Sequence, residues 1–254
     1  MKKLTEDNYF SHEMQEKYMG ASQFKSFLSC EARALAEIHG EWVHPKTTAL
    51  LVGSYVDAYF EGALERFKQE NPEIFTRQGS LKSEFKKAEE IIQRIERDKF
   101  FMKFMSGKKQ VIKTGEIEGI PFKIKIDSYH PGIMLVDLKV MKDFAPMWKE
   151  AEGCVTFIEG WGYDLQGAIY QAVEGDCLPF YIAAATKEPE PDIGVFQIPQ
   201  TYLDVAMDTV KRYVHRFDGI KMGVVEPVRC EKCDYCKHTK VLNHVKTLEE
   251  LFYE

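Results

Sequence analysis

Three residues with usable chemistry stand near the middle of the chain: Asp127, Asp137 and Lys139, spaced D-x9-D-x-K. Two carboxylates supply hard oxygen ligands for Mg2+ or Mn2+, and an ammonium beside them can orient an attacking water or help deprotonate it. Such a set needs a support that points all three groups the same way. The flanking residues predict two strands, 122–127 and 133–140, both short and rich in β-branched and apolar side chains. His130-Pro131-Gly132 between them has turn chemistry. A hairpin closed there sets Asp127 opposite either Val136 or Asp137, and the sequence leaves both registers open. Alternation along a strand puts Asp137 and Lys139 on one face. Charges on a solvated strand face are the other use of the same residues.

Further candidates lie on either side. Asp57 falls in an apolar helical stretch with Leu51, Val52, Tyr55, Val56, Tyr59 and Phe60. A carboxylate there is costly to bury unless paired or bound to metal, and otherwise it must face water. Gln166 and Tyr170 are four apart and share a helix face with Tyr163, while Leu165, Ala168, Ile169 and Ala172 form the packed side. The amide and phenol could contact a substrate backbone or orient Lys139; simple packing is the alternative for the tyrosines. Glu116 and Glu118 read as structural.

The tail carries Cys230-Glu-Lys-Cys233-Asp-Tyr-Cys236. Three cysteines at C-x2-C-x2-C can converge on one ion or cluster. The fourth ligand can come from Cys30, His238 or His244, and zinc held by three cysteines and one histidine is one reading of the set. Cys154 and Cys177 have no partner pattern and read as ordinary thiols.

Apolar periodicity predicts helices over 22–40, 47–68 and 80–105, then strands over 109–117, 120–128 and 133–140. A helix over 163–174, strands near 178–186 and 192–198 and a helix over 201–218 complete a mixed α/β order. A chain of 254 residues with 44% hydrophobic and 29% charged residues fits one elaborated globular domain. No apolar run reaches membrane-span length, and the N-terminus is charged and polar, so a cytoplasmic location is expected. In that compartment cysteines read as thiols or metal ligands rather than disulfides. The net charge of −6 argues against a protein that coats nucleic acid, but residues 80–113 hold ten Lys/Arg against five Asp/Glu. That run is either a phosphate-binding surface beside an acidic site or a solvated helix face.

The segment Gly119 to Asp127 followed by Val136-Asp137-Leu138-Lys139 resembles the core of the PD-(D/E)XK nuclease superfamily, in particular its RecE-like and RecB-like phage exonucleases. Gly162 to Tyr170 resembles the Q-x-x-x-Y helix of that branch. Gly53-Ser54-Tyr55-Val56-Asp57 resembles its upstream G-x-x-x-H helix, with Asp57 in place of histidine. Residues 22–30 resemble the N-terminal helix that brings a first cluster cysteine. The resemblance runs in order from about residue 20 to residue 236.

It implies a restriction-endonuclease-like fold: a mixed sheet flanked by helices, with an N-terminal helical elaboration over 1–108, a catalytic core over 109–200 and a C-terminal helix and cysteine tail over 201–254. It implies Asp57, Asp127, Asp137 and the Leu138 carbonyl as Mg2+ ligands, with catalytic roles for Asp127, Asp137, Lys139, Gln166 and Tyr170. For the cysteines it favours Cys30 as fourth ligand of a four-iron, four-sulfur (4Fe–4S) cluster that staples the chain ends. The final gap in this trio is shorter than the family's, which keeps Zn2+ open. The implied activity is exonucleolytic hydrolysis of double-stranded DNA from its ends, leaving 5′-phosphates, in phage or prophage recombination. A single-strand annealing recombinase is the implied partner, and a homo-oligomer the implied assembly. Two other classes are carried beside it: a catalytically degenerate nucleic-acid-binding module with a zinc or iron–sulfur staple, and a metal-stapled scaffold that recruits a recombinase.

Overall fold

Each of the three long helical stretches divides in two, and local chemistry marks every break. The computed structural model describes residues 3–149, 153–242, 245, 247 and 248. Its helical first part comprises α1 (His12–Lys17), α2 (Ala21–Ser29), α3 (Glu31–Ile38), α4 (Thr48–Glu61), α5 (Leu64–Glu70), α6 (Ser83–Glu96) and α7 (Lys99–Phe104). Cys30 is extended between α2 and α3. Gly62 takes the left-handed conformation that ends α4, the use for which glycine is suited. Asp98 caps α7 by accepting from the Phe101 amide at 2.9 Å.

The strands are β1 (Lys108–Ile117), β2 (Ile120–His130), β3 (Met134–Met141), the small pair β4 (Met147–Lys149) and β5 (Gly153–Val155), then β6 (Phe180–Thr186) and β7 (Ile193–Gln197). Between β5 and β6 lie α8 (Phe157–Gly160) and α9 (Tyr163–Glu174); α10 (Gln200–Lys221) and α11 (Asp234–His238) follow β7. The β4–β5 pair and α1 are additions to the order expected from periodicity.

The main sheet runs β1-β2-β3-β6-β7. β3 and β6 are parallel, the other neighbours antiparallel. A parallel pair needs a crossover, and here α8 and α9 supply it. Leu135, Ile182 and Ala184 pack into one apolar cluster with α2, α9 and α10; Val136, Leu138, Ala183 and Ala185 pack into another with α4 and α6. Strand alternation thus feeds two faces, and the sheet lies between helical layers. The fold is the mixed, helix-flanked sheet of a restriction-endonuclease-like protein.

One irregularity positions the site. β2 pairs with β3 only at Ser128–Val136, Tyr129–Leu135 and His130–Met134, although both strands continue beyond. Toward its N-terminal end β2 stays with β1, while β3 runs on beside β6. The sheet therefore forks. Ile126 and Tyr129, three residues apart, both enter the same apolar cluster, so side-chain alternation breaks at Asp127 and Ser128.

Candidate active site

Asp127 stands in the fork. Extending the observed register by one residue sets it opposite Asp137, which resolves the ambiguity left by the turn sequence. Its Oδ2 accepts the Leu138 N–H at 2.9 Å, so the carboxylate takes a donor that the diverging backbone of β2 no longer serves. Its Oδ1 accepts from Gln110 Nε2 at 3.2 Å. Gln110 has a positive φ of 52°, which interrupts β1 opposite Asp127; nothing in the sequence flags it. Leu138, expected through its carbonyl, is thus tied to the site by its N–H, and it lines the same cavity.

Asp137 is buried on β3, where Gln166 of α9 donates to its Oδ1 at 2.6 Å and Lys139 Nζ lies 2.5 Å from its Oδ2. Tyr170, one turn on, donates to the Lys125 carbonyl at 2.8 Å, two residues before Asp127. Gln166 and Tyr170 therefore grip the carboxylate and the strand rather than pointing into free space. Leu165, Ala168 and Ile169 pack as expected, but Ala172 is exposed, because α9 is covered by the sheet on one side and α10 on another.

Asp57 reaches the same place from α4. Its Oδ1 is buried and accepts no hydrogen bond. Asp57, Asp127, Asp137 and Lys139 line one cavity of about 570 Å³, together with Lys25, Arg66, Lys123 and Lys125. These further cations come from α2, α5 and β2, and no Lys or Arg of the basic 80–113 run is among the lining residues. Nothing in the sequence around Lys25 singles it out; only the packing of α2 beside α9 brings it to this cavity. Its Nζ donates to the Trp161 carbonyl at 3.2 Å and sits 5.4 Å from the Tyr163 ring centre.

Crowding like charges in a partly dry site shifts their protonation. Burial first, and the Asp137 charge second, push the Asp127 carboxyl up to about 7. Burial and then Asp127 raise Asp57 well above the usual carboxylate range. Burial works against the Lys139 ammonium, but Asp137 and Asp127 outweigh it and hold that amine above the usual lysine range. Burial and then Lys139 draw Lys25 down to about 8. Two carboxyls that resist ionisation, one with an orphaned oxygen, stand with Asp137 around one cavity and fit a hard divalent cation, which would be held by all three at once.

The tail thiols meet at a separate place. The Sγ atoms of Cys30, Cys230, Cys233 and Cys236 all lie within 4.8 Å of one another, and they could hold a metal. His238 instead sits against Trp42, with ring centres 5.7 Å apart, and His244 lies outside the described residues. Cys154 and Cys177 are exposed and free. Among the described residues no helix is long and apolar enough to cross a membrane.

A forked mixed sheet with D-x9-D-x-K at the fork and a glutamine–tyrosine helix against it is the architecture of the PD-(D/E)XK class. The chain belongs to the family described as "PDDEXK-like domain of unknown function (DUF3799)", which matches residues 20–239. Its sequence is 48% identical to that of a solved protein from Eubacterium rectale described as a "Putative exonuclease", with a TM-score of 0.95 over 99% of this chain and 98% of the other. A second solved structure, SSO0001, shares 15% identity over 71% of this chain and 83% of its own; at a TM-score of 0.28 it carries no argument. No curated protein matches.

Proposed function

We propose that this protein is a Mg2+-dependent deoxyribonuclease that degrades double-stranded DNA from its ends. The observation that carries the reading is the convergence of Asp57, Asp127, Asp137 and Lys139 on one cavity at the sheet fork, with one carboxylate oxygen buried and unpartnered. The description of the Eubacterium rectale relative as an exonuclease supports the same class of reaction.

Asp57, Asp127, Asp137 and the Leu138 carbonyl would hold the cation, which supplies Lewis-acid charge at the phosphoryl group and acidifies water. Lys139 orients the attacking water and offers positive charge to the scissile phosphate. Gln166 fixes Asp137, and Tyr170 fixes the backbone two residues before Asp127, so neither carboxylate must reorganise during the reaction. Among the lining cations Arg66 is paired with Glu70, Lys125 with Glu61, and Lys123 with the Tyr9 carbonyl, so Lys25 and Lys139 are the groups left to meet a phosphodiester chain. Hydrolysis leaves 5′-phosphates, and the biological setting is phage or prophage recombination beside a single-strand annealing recombinase.

The test is digestion of linear, nicked and closed circular duplexes with Mg2+, beside Asp137→Ala and Lys139→Ala. Loss of linear DNA only, abolished by chelation and by either substitution, is the expected result. Cleavage of closed circles would replace the exonuclease by an endonuclease. Binding without cleavage by the unaltered protein would favour the degenerate binding module.

A further inference from the structure

A second cavity opens beside the first, and Lys25 lines both. It has a volume of about 1030 Å³ and lies between the C-terminal half of α2, the α8–α9 junction and the first half of α10. Leu28, Trp161, Leu165, Tyr202 and Val205 supply its apolar wall. We propose that this groove takes unpaired bases of the strand being cut, stacked on Trp161 and Tyr202, an inference that rests on the nuclease reading of the neighbouring cavity.

The cations set the path. Lys139 Nζ and Lys25 Nζ lie 5.5 Å and 5.4 Å from the centre of the Tyr163 ring, so a single ring separates the ammonium of the first cavity from the one shared with the second. A strand that runs from Lys139 past Lys25 comes directly against the second groove. Gly162 makes that passage possible. Its φ of 64° is the left-handed conformation that glycine tolerates, and a Cβ there would lie 3.0 Å from Lys25 Cδ. The lysine stem therefore crosses the α8–α9 junction in contact with the backbone, and its Nζ is held by the Trp161 carbonyl at 3.2 Å. Lys25 and Trp161 are thus fixed to one another, a phosphate-binding group beside an aromatic ring.

The lining selects the part of the strand that enters. Lys25 and Lys149 are matched in number by Glu159 and Asp164, so the groove offers phosphates no excess of positive charge. What it offers is apolar surface. Trp161 is 54% exposed and Tyr202 46%, which leaves about half of each side chain free to take a stack. Tyr202 and Val205 face outward on α10 because Leu203, Ala206 and Val210 bury its other side. Aromatic rings accept the π-face of any base without regard to sequence. In a duplex those faces are covered by the neighbouring base pairs, so only an unpaired strand can present them. The volume lies at the upper end of the roughly 300–1,000 Å³ typical of ligand pockets, with room for more than a single base.

The test separates binding from cleavage. Affinity for a short single-stranded DNA is measured in EDTA with the full chain, beside Trp161→Ala, Tyr202→Ala and Trp148→Ala. The first two should each weaken binding about 5- to 100-fold and leave its salt dependence unchanged. Trp148 is exposed but outside both linings, so its removal should have no effect. A strand of equal length made of abasic residues should bind the unaltered protein and Trp161→Ala alike, since it has no base to lose. Lys25→Gln should instead lower the slope of log affinity against log salt by roughly 0.7, as loss of one phosphate contact does. With Mg2+, Trp161→Ala should raise KM for linear DNA and keep kcat within about twofold. Unchanged affinity in both ring variants, or no binding by the unaltered protein, would overturn the proposal, and continued cutting of linear DNA would then leave the nuclease reading standing. Weaker binding by Trp161→Ala in a protein that cuts no DNA would remove the nuclease reading and keep the base groove. Equal losses on normal and abasic strands would refute stacking. Unchanged DNA affinity with a smaller assembly in solution would assign the groove to a second copy of the chain, and refute the proposal too.

Discussion

Asp57→Asn should stabilise the cation-free protein and weaken its response to Mg2+, two effects of opposite sign from one atom change. Asp57 Oδ1 is buried without a hydrogen bond, and its carboxyl shares the cavity with Asp127 and Asp137. An unsatisfied buried polar atom costs about 1–3 kcal/mol, and the amide removes a charge while adding two donors that face carboxylates. In EDTA the variant should therefore gain about 1–3 kcal/mol, a rise in melting temperature of roughly 3–10 °C for a chain of this size. The pH dependence has a defined sign. Burial and Asp127 place the folded-state value of this carboxyl above the ordinary 3.8. Its penalty is thus absent in acid, where it is protonated in both states, and grows as pH rises above about 4. The advantage of asparagine should therefore grow with rising pH and shrink toward pH 4. With Mg2+ the gap narrows: at a hundred times Kd the wild type gains about 2.7 kcal/mol, and the variant, lacking one ligand charge, gains less. Thermal unfolding in EDTA and in Mg2+ or Mn2+, at low and at high pH, reads all of this. A variant less stable in EDTA, or one whose cation-induced shift equals that of the wild type, would refute the reasoning.

Two further substitutions probe the support of the site. A Cβ on Gly167 would lie 2.6 Å from Phe180 Cδ1 and 2.8 Å from Leu203 Cδ2. Gly167→Ala should cost about 1–3 kcal/mol in urea unfolding and, by lifting α9, lower cleavage with it; unchanged stability would show that α9 can yield without strain. Gln166→Met keeps the volume and removes the donor to Asp137. It should lower kcat, counted per folded molecule, about 10- to 100-fold with little change in KM or in melting temperature, whereas a purely structural defect would lower the melting temperature.

How much of this was legible in the chain depends on the range of each interaction. The hairpin, α9 and the thiol trio rest on near neighbours: a turn before Gly132, the i,i+4 spacing of Gln166 and Tyr170, a C-x2-C-x2-C run. Their placement needed no distant partner. The helix breaks were also written locally, in Gly62 and Asp98, but long apolar periodicity masks a one-residue interruption when both halves bury the same kind of face. No Lys or Arg of the basic run over 80–113 lines the cavity, because charge along a segment says nothing of which side packs.

Residue types and spacing by themselves determined that two acids and an amine sit on adjacent strands, and that several thiols can share a metal. Only the tertiary structure decided the register, because the fork where β2 leaves β3 arises from competition among β1, β6 and two helical layers. It alone brought Asp57 and Lys25 to that fork, and Cys30 to Cys236 across 206 residues. Periodicity and turn chemistry are properties of a few consecutive residues. Contacts between remote segments are set by how whole faces pack, and a single strand or helix carries no record of what will cover it.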